Sequence, residues 1–109
     1  MPRGLPVAYD SGMKTNEGPP EEVLARRAKV LKALGHPTRV AILEILREGE
    51  ECVCRICPRV GGSQPNTSKH LAILKRAGIV ASRQEGTMTF YRVRDPAVFE
   101  ILDRAGDLE

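Results

Sequence analysis

The residues of this sequence with the most distinctive chemistry are its three cysteines, Cys52, Cys54 and Cys57, which fall within one short segment. Thiolates bind soft metal ions, act as nucleophiles and exchange disulfides.

The compartment of the protein limits which of these reactions are relevant. The 109-residue chain has no apolar run close to the roughly 20 residues of a membrane-spanning helix, and its N-terminus lacks the apolar stretch of a secretory signal. We therefore expect a cytoplasmic protein. In that reducing compartment, an odd and clustered set of cysteines indicates free thiols, metal ligands or a redox sensor rather than a structural disulfide.

One folded domain preceded by a tail is expected to position these thiols. Residues 1–20 contain four Pro and three Gly without a sustained period, which predicts a flexible N-terminal tail. Residues 21–109 are long enough for a single core, and the aromatic content of 4% predicts that this core is aliphatic. We expect a first helix over residues 21–34 and a second from Pro37 to Gly49, because apolar residues recur there at helical spacing. The stripe of the first helix consists of Leu24, Ala28 and Leu31.

A further helix is predicted just after the cysteine segment. The Gly61-Gly62 pair interrupts the chain, and Ser63 is a suitable N-cap for a helix that starts at Gln64. Pro65 lies within the first turn, where its missing N–H costs little. The buried stripe of this helix is expected to consist of Leu71, Leu74 and Ala77. Two short helices joined by a glycine turn, the second of them polar at its start, describe a helix-turn-helix.

The apolar period changes to that of a β-hairpin after this helix. Polar and apolar residues alternate over residues 79–93, on both sides of a turn at Glu85-Gly86-Thr87. Asp95-Pro96 then caps and starts a last helix. One side of that helix carries Val98, Ile101 and Leu102. A helix-turn-helix followed by a basic hairpin is a winged helix, so the predicted fold class is mainly α with a β-hairpin wing.

Charge is distributed unevenly along the chain. Over residues 63–94, six Lys and Arg face Glu85 alone, a local charge of +5, whereas residues 95–109 hold five acids and Arg104, a charge of −4. A basic surface of this kind suits a polyanion, because each neutralised phosphate releases counterions. The alternative interpretation is an ordinary solvated charged face.

Four segments together resemble a known family. The segments LKALGHPTRVAILEIL, CVCRIC, SQPNTSKHLAILKRAGIV and SRQEGTMTFYRV are similar, in order and spacing, to the ArsR/SmtB family of metal-responsive bacterial repressors. The resemblance covers residues 24–102. It implies a winged-helix homodimer whose interface is built from the first and last helices. The dimer would bind an inverted repeat in double-stranded operator DNA. It also implies repression of a resistance operon that an inducer relieves, with no catalysis and no organic cofactor.

Within that family, the Cys-x-Cys-x-x-Cys arrangement is similar to that of the arsenical-resistance-operon repressors. The resemblance implies that Cys52, Cys54 and Cys57 bind As(III) or Sb(III). The chemistry agrees, because a trivalent centre with a lone pair is satisfied by three soft sulfurs, whereas structural zinc requires a fourth ligand. His36 and His70 are expected to be structural or DNA-facing. A divalent ion (Zn, Cd or Pb) completed by water or a carboxylate is the alternative, although the last helix lacks the ligand pairs of the family's zinc sensors.

Helix geometry restricts how the three sulfurs can meet. At about 100° per residue, Cys54 and Cys57 share one face, while Cys52 points about 200° away from Cys54 in a regular helix. Either Cys52 precedes the helix or the helix start distorts on binding. Pro58 favours irregularity, because it removes the hydrogen bond to the Cys54 carbonyl. Arg55 also departs from the family, since many relatives carry an Asp there.

Three other interpretations of the thiols stay open. A redox switch could use a Cys54–Cys57 disulfide. The cysteines could instead pack as small apolar residues in a repressor with another inducer. An enzyme, such as a thiol oxidoreductase or arsenate reductase, is disfavoured because no oxyanion loop or βαβ pattern accompanies the thiols. Whichever interpretation holds, the positive charges of Arg55 and Arg59 are expected to favour the thiolate form of the cysteines over the thiol form.

The residues predicted to contact DNA come from the family resemblance. The second helix of the helix-turn-helix supplies a major-groove face, on which Gln and Asn can pair with adenine edges. The hairpin supplies contacts to phosphate or the minor groove. The predicted set is Gln64, Asn66, Thr67, Ser68, Lys69 and His70 on the helix, with Arg83, Thr87 and Thr89 on the wing.

Overall fold

The computed structural model describes residues 18–108, and most of the predicted tail, residues 1–17, lies outside the described residues. The described part is mainly helical with one small sheet, as predicted. In chain order its elements are α1 (Glu21–Leu34), α2 (Pro37–Leu46), β1 (Glu51–Cys52), α3 (Val53–Val60), α4 (Gln64–Arg76), β2 (Val80–Glu85), β3 (Met88–Val93) and α5 (Ala97–Gly106). Within this range, the helices are too short or too polar to span a bilayer.

The helix boundaries follow local signals. Helix α1 has the predicted bounds, and α4 begins as predicted after Ser63, whose Oγ accepts the Asn66 N–H at 3.2 Å. Helix α2 was expected to continue until Gly49 stops it, and its last helical residue is Leu46. The chain leaves the helix after Leu46, because the Gly49 N–H bonds to the Leu46 carbonyl at 3.0 Å and closes a tight turn there.

The hairpin is confirmed, and a third strand joins it. Strands β2 and β3 pair antiparallel with Glu85 opposite Met88, so that Gly86, at φ 62°, occupies the turn. The two-residue strand β1 pairs with the other edge of β3, which places Cys52 opposite Phe90. The sequence did not predict β1. Its presence means that the first cysteine is attached directly to the wing.

The core is aliphatic, as predicted, and lies where α2, α3 and α4 meet. Its fully buried side chains include Ile42, Leu43, Ile56, Leu71 and Leu74. The apolar stripe of α1 is exposed in the single chain: Leu24 is 50% and Leu31 is 58% exposed, and Ile101 of α5 is 39% exposed. These apolar side chains have no cover within the described part of a single chain.

Candidate metalloid site and DNA-binding surface

The three cysteines occupy different local environments around the start of α3. Cys52 is extended, 3% exposed, and its Sγ accepts the Cys54 N–H at 3.2 Å, so it is the N-cap of the helix. Cys54 is exposed on the first turn, and Cys57 is half-buried farther along the helix. Cys52 therefore precedes the helix, which is the first of the two arrangements expected from helix geometry.

Cys52 and Cys54 are joined by a disulfide, while Cys57 is free. The redox alternative paired Cys54 with Cys57, whereas the structure joins Cys54 to Cys52. The reason is that the extended backbone of Cys52 brings its sulfur back over the N-terminus of α3, beside the sulfur of Cys54. Within residues 18–108, no three His, Cys, Asp or Glu side chains are assembled as a metal site.

The donor set nevertheless fits a three-coordinate soft ion once the disulfide is reduced. Reduction would leave two thiols side by side at a helix N-terminus, where the N–H dipoles favour negative charge. Cys57 follows Cys54 by three residues, which places both on one helix face. Binding to all three sulfurs would require Cys57 to leave its present hydrogen bonds.

Those hydrogen bonds connect Cys57 to the start of α4. The Cys57 S–H donates to the Gly62 carbonyl, with Sγ and O 3.2 Å apart, and the Thr67 hydroxyl donates to Cys57 Sγ at 3.7 Å. Gly62 belongs to the turn between the two helices, and Thr67 lies on the first turns of α4. The third cysteine therefore contacts the interhelix turn and the start of α4.

The two arginines near the cysteines are paired with carboxylates. Arg55 Nε lies 3.6 Å from Glu51, and Arg59 lies 3.6 Å from Glu48. The expectation that these arginines favour thiolates is weakened, since each already shares its charge with an acid.

Helix α4 presents four of its six predicted DNA residues to solvent. The exposed residues are Gln64, Asn66, Ser68 and Lys69. Thr67 is fully buried and His70 is 7% exposed, so their assignment to the major-groove face is corrected. Both lie on the stripe of Leu71 and Leu74, at spacings of three to four residues. The helical period that identified the leucines could have identified these two as well.

His70 anchors α4 to the N-terminal helices. Its Nδ1 accepts a hydrogen bond from Arg39 Nε at 3.2 Å, and its ring lies 4.4 Å from that of His36. Arg39 also donates to the Lys32 and Ala33 carbonyls at the end of α1, at 3.3 and 3.0 Å. Burial, reinforced by the nearby His36, lowers the pKa of His70 and keeps the ring a neutral acceptor. These contacts make both histidines structural.

The wing arginine, Arg83, is held by two carboxylates. Arg83 lies 2.8 Å from Glu50 and 3.0 Å from Glu85, with its guanidinium 4.6 Å from the centre of the Phe90 ring. The hydrogen bond from Arg83 lowers the pKa of Glu50. A phosphate would therefore compete with these carboxylates for the guanidinium of Arg83, whose side chain is 49% exposed. Glu50 was missed by the sequence analysis, because its partner lies 33 residues away.

The other two predicted wing residues and the remaining cations of residues 63–94 are less engaged by carboxylates than Arg83 is. Thr87 is exposed at the hairpin turn, and Thr89 is half-buried. Five further cations of the basic segment form no ion pair with a carboxylate among residues 18–108: Lys69, Lys75, Arg76, Arg92 and Arg94. These cations lie on α4, on β3 and directly after β3.

Comparison with known proteins identifies the family. The model of the bacterial regulatory protein arsR family matches residues 36–82, from the N-cap of α2 into β2. An HTH-type transcriptional regulator of Methanocaldococcus jannaschii, itself uncharacterized, is 46% identical over 88 residues, which are 80% of this chain and 99% of that protein. The chain belongs to the arsR family. An ArsR-family protein is a DNA-binding transcriptional regulator, so the enzymatic alternative is set aside.

Two further relatives bear on the function of this ArsR-family regulator. The arsenical resistance operon repressor of Escherichia coli is 39% identical over 66 residues, which are 60% of this chain and 56% of that protein. The solution structure of a homodimeric winged helix-turn-helix DNA-binding domain from Mycobacterium bovis is 32% identical, with a TM-score of 0.72 over 79% of this chain and 82% of that chain. That domain is described as a possible ArsR-family regulator. The winged-helix fold predicted from the sequence is confirmed.

Proposed function

We propose that this ArsR-family regulator represses an arsenic-resistance operon and leaves its operator when As(III) or Sb(III) binds Cys52, Cys54 and Cys57. The observation that carries the proposal is the position of Cys52. Because it caps α3 from outside the helix, its sulfur lies beside that of Cys54, and the 200° conflict of a regular helix does not arise. The similarity to the Escherichia coli arsenical resistance operon repressor supports the same inducer.

Binding of the inducer requires the reduced protein. Two cytoplasmic thiols would first be oxidised to a disulfide, and their two electrons and two protons would convert the Cys52–Cys54 disulfide into two thiols. The three cysteine thiols then exchange with the three hydroxides of arsenous acid. Three As–S bonds form, three As–O bonds break, and each thiol proton leaves in a water molecule. Three sulfurs complete the coordination of a trivalent centre, so no fourth residue is needed.

On the DNA side, we propose that a homodimer binds an inverted repeat. The exposed apolar residues of α1 and α5 would form the dimer interface, where Val23, Val30, Leu31 and Ile101 already line a groove. Two copies of α4 would then enter successive major grooves. Contacts would come from Gln64, Asn66, Ser68 and Lys69 on each helix, with Thr87 and Thr89 on each wing, and with Arg83 after exchange of its carboxylate partners.

The test is a titration of operator binding with arsenite. The operator duplex is obtained by selecting, from a random pool, the DNA that the protein binds, and it is then labelled. A phosphine keeps the thiols of the protein reduced, because a dithiol reductant would itself chelate arsenite. We expect about a 100-fold loss of DNA affinity, which needs a coupling free energy of about 2.7 kcal/mol. Each single Cys→Ser variant should bind the duplex normally but respond weakly. If arsenite leaves the affinity of the wild-type protein for the duplex unchanged, the proposal is contradicted.

A second candidate function is a redox-sensing repressor, and the Cys52–Cys54 disulfide favours it. In that case oxidation alone changes DNA affinity, without any metalloid. The same duplex is therefore titrated with oxidised and with reduced protein in the absence of arsenite. Equal affinities of the two forms exclude this candidate. A parallel titration with Cd(II) tests the divalent alternative, which predicts release at a lower concentration of cadmium than of arsenite.

A further inference from the structure

The buried hydroxyl of Thr67 joins the inducer site to the DNA-reading helix. Thr67 is 0% exposed, whereas its neighbours Asn66 and Ser68 face solvent. Its Oγ1 donates to Cys57 Sγ at 3.7 Å, and this sulfur is the hydroxyl's hydrogen-bond partner within residues 18–108. A Cβ placed on Gly62 would lie 3.5 Å from the same Oγ1. The thiol, the interhelix turn and the first turns of α4 are therefore in direct contact.

Cys57 serves as acceptor and donor at once in this arrangement. Its sulfur accepts from Thr67, and its S–H donates to the Gly62 carbonyl over 3.2 Å. Both bonds depend on the sulfur staying between the turn and α4, and the second depends on the thiol proton. A buried hydroxyl that loses its partner destabilises the conformation that buries it.

We infer that Thr67 is the positioning residue that transmits inducer binding from Cys57 to α4, an inference that rests on the proposed function. When the Cys57 S–H bond is replaced by a bond to the inducer, the thiol proton leaves with a hydroxide of arsenous acid as water. The Gly62 carbonyl then has no donor. As the sulfur moves toward Cys52 and Cys54, the Thr67 hydroxyl also has no acceptor. The position of α4 that binds DNA then becomes less stable than an alternative position of α4 in which the Thr67 hydroxyl has another hydrogen-bond partner.

The test compares Thr67→Val, which keeps the shape but lacks the hydroxyl, with Thr67→Ser, which keeps the hydroxyl. For each protein, operator affinity is measured with and without saturating arsenite, and arsenite affinity is followed by the ultraviolet absorption of arsenic–thiolate bonds. The quantity of interest is the ratio of operator affinity without arsenite to operator affinity with arsenite. In Thr67→Val, this ratio should be about three- to tenfold smaller than in the wild type, which is the effect of one hydrogen bond. Arsenite affinity and operator affinity without arsenite should stay within about threefold of wild type. Thr67→Ser should restore the wild-type ratio.

Two results would overturn the inference while leaving the proposed function intact. One is an unchanged ratio in Thr67→Val, provided that the wild type releases DNA with arsenite. The other is a loss of more than about tenfold in operator affinity without arsenite, which exceeds one hydrogen bond and makes Thr67 a mere support of the helix. Failure of the wild type to release DNA overturns both proposals.

Hydrogen exchange in the wild type gives a second measurement that needs no variant. Arsenite should speed amide exchange across residues 61–67, since the turn and the start of α4 lose two hydrogen bonds. Exchange over residues 71–76, farther along α4, should change less. Unchanged exchange over residues 61–67 in arsenite-bound protein overturns the inference.

Discussion

Helices α3 and α4 both begin after an extended residue whose side chain caps the first turn. In α3 the cap is the sulfur of Cys52, and in α4 it is the hydroxyl of Ser63, each accepting a backbone N–H at 3.2 Å. The caps differ in chemistry, because a thiol can be oxidised or can bind a soft ion, whereas a hydroxyl does neither under these conditions. The same local geometry thus gives one helix a reactive start and the other an inert one.

The two helices also differ in how firmly they are held. Helix α3 has eight residues, and Pro58 inside it leaves the Cys54 carbonyl without its helical donor. Helix α4 has 13 residues and completely buries Thr67, Leu71 and Leu74, whereas α3 completely buries Ile56 alone. The proposed sensing chemistry thus lies in the shorter element with the smaller buried face, while the proposed reading surface lies on the better anchored one.

The largest expected effect tests the anchoring of α4. Leu71→Ala should lower the free energy of unfolding by about 2–5 kcal/mol, because it removes a fully buried side chain and leaves a cavity. The comparison variant is Val60→Ala, at a half-buried position at the C-terminal end of α3, with an expected loss of about 1 kcal/mol. Urea unfolding measures both. Equal losses would show that the two helices are anchored to a similar degree.

A smaller effect is expected at the inert cap. Ser63→Ala should lower the free energy of unfolding by about 1 kcal/mol, since the Asn66 N–H loses its acceptor. Ser63→Asp, which retains a capping oxygen, is the control and should unfold like the wild type. Arsenite affinity should not change in either variant, because the cap of α4 contributes no sulfur. A change in arsenite affinity with Ser63→Ala would mean that the two caps do not act separately.

The smallest effect concerns Glu50, where the sensing and reading regions meet. Glu50 lies two residues before Cys52 and binds the wing residue Arg83, so Glu50→Gln should free Arg83 for phosphate. Operator affinity should rise about two- to fivefold, as expected for an exposed ion pair. Glu44→Gln, which removes the partner of Arg47 on α2, is the matched control. A similar rise in both variants would indicate a general effect of charge and not competition at Arg83.

The parts of the fold that local signals determine were predictable from the sequence. Helix α1 has the predicted bounds, Ser63 caps α4 as expected, and the hairpin turns at Gly86. Proline, glycine and capping side chains act within a few residues, so their effects can be read without knowing the tertiary structure. The winged-helix class followed from the order of these elements.

The parts that depend on distant partners were not predictable in the same way. Strand β1 has two residues and exists because β3 offers an edge, about 40 residues later in the chain. The ion pair of Glu50 with Arg83 has the same non-local origin. The burial of Thr67 has a local origin, since the helical period places it beside Leu71 and predicts a buried side chain where the family resemblance implies a DNA contact.

The most direct test of the three-sulfur site is X-ray absorption at the arsenic edge on the reduced protein with one equivalent of arsenite. It counts the atoms bound to arsenic and distinguishes sulfur from oxygen. We predict three sulfur neighbours in the wild type, and two sulfurs with one oxygen in Cys57→Ser. Two sulfurs with one oxygen in the wild type, or an unchanged spectrum in Cys57→Ser, would contradict the claim that Cys57 joins Cys52 and Cys54 around the inducer.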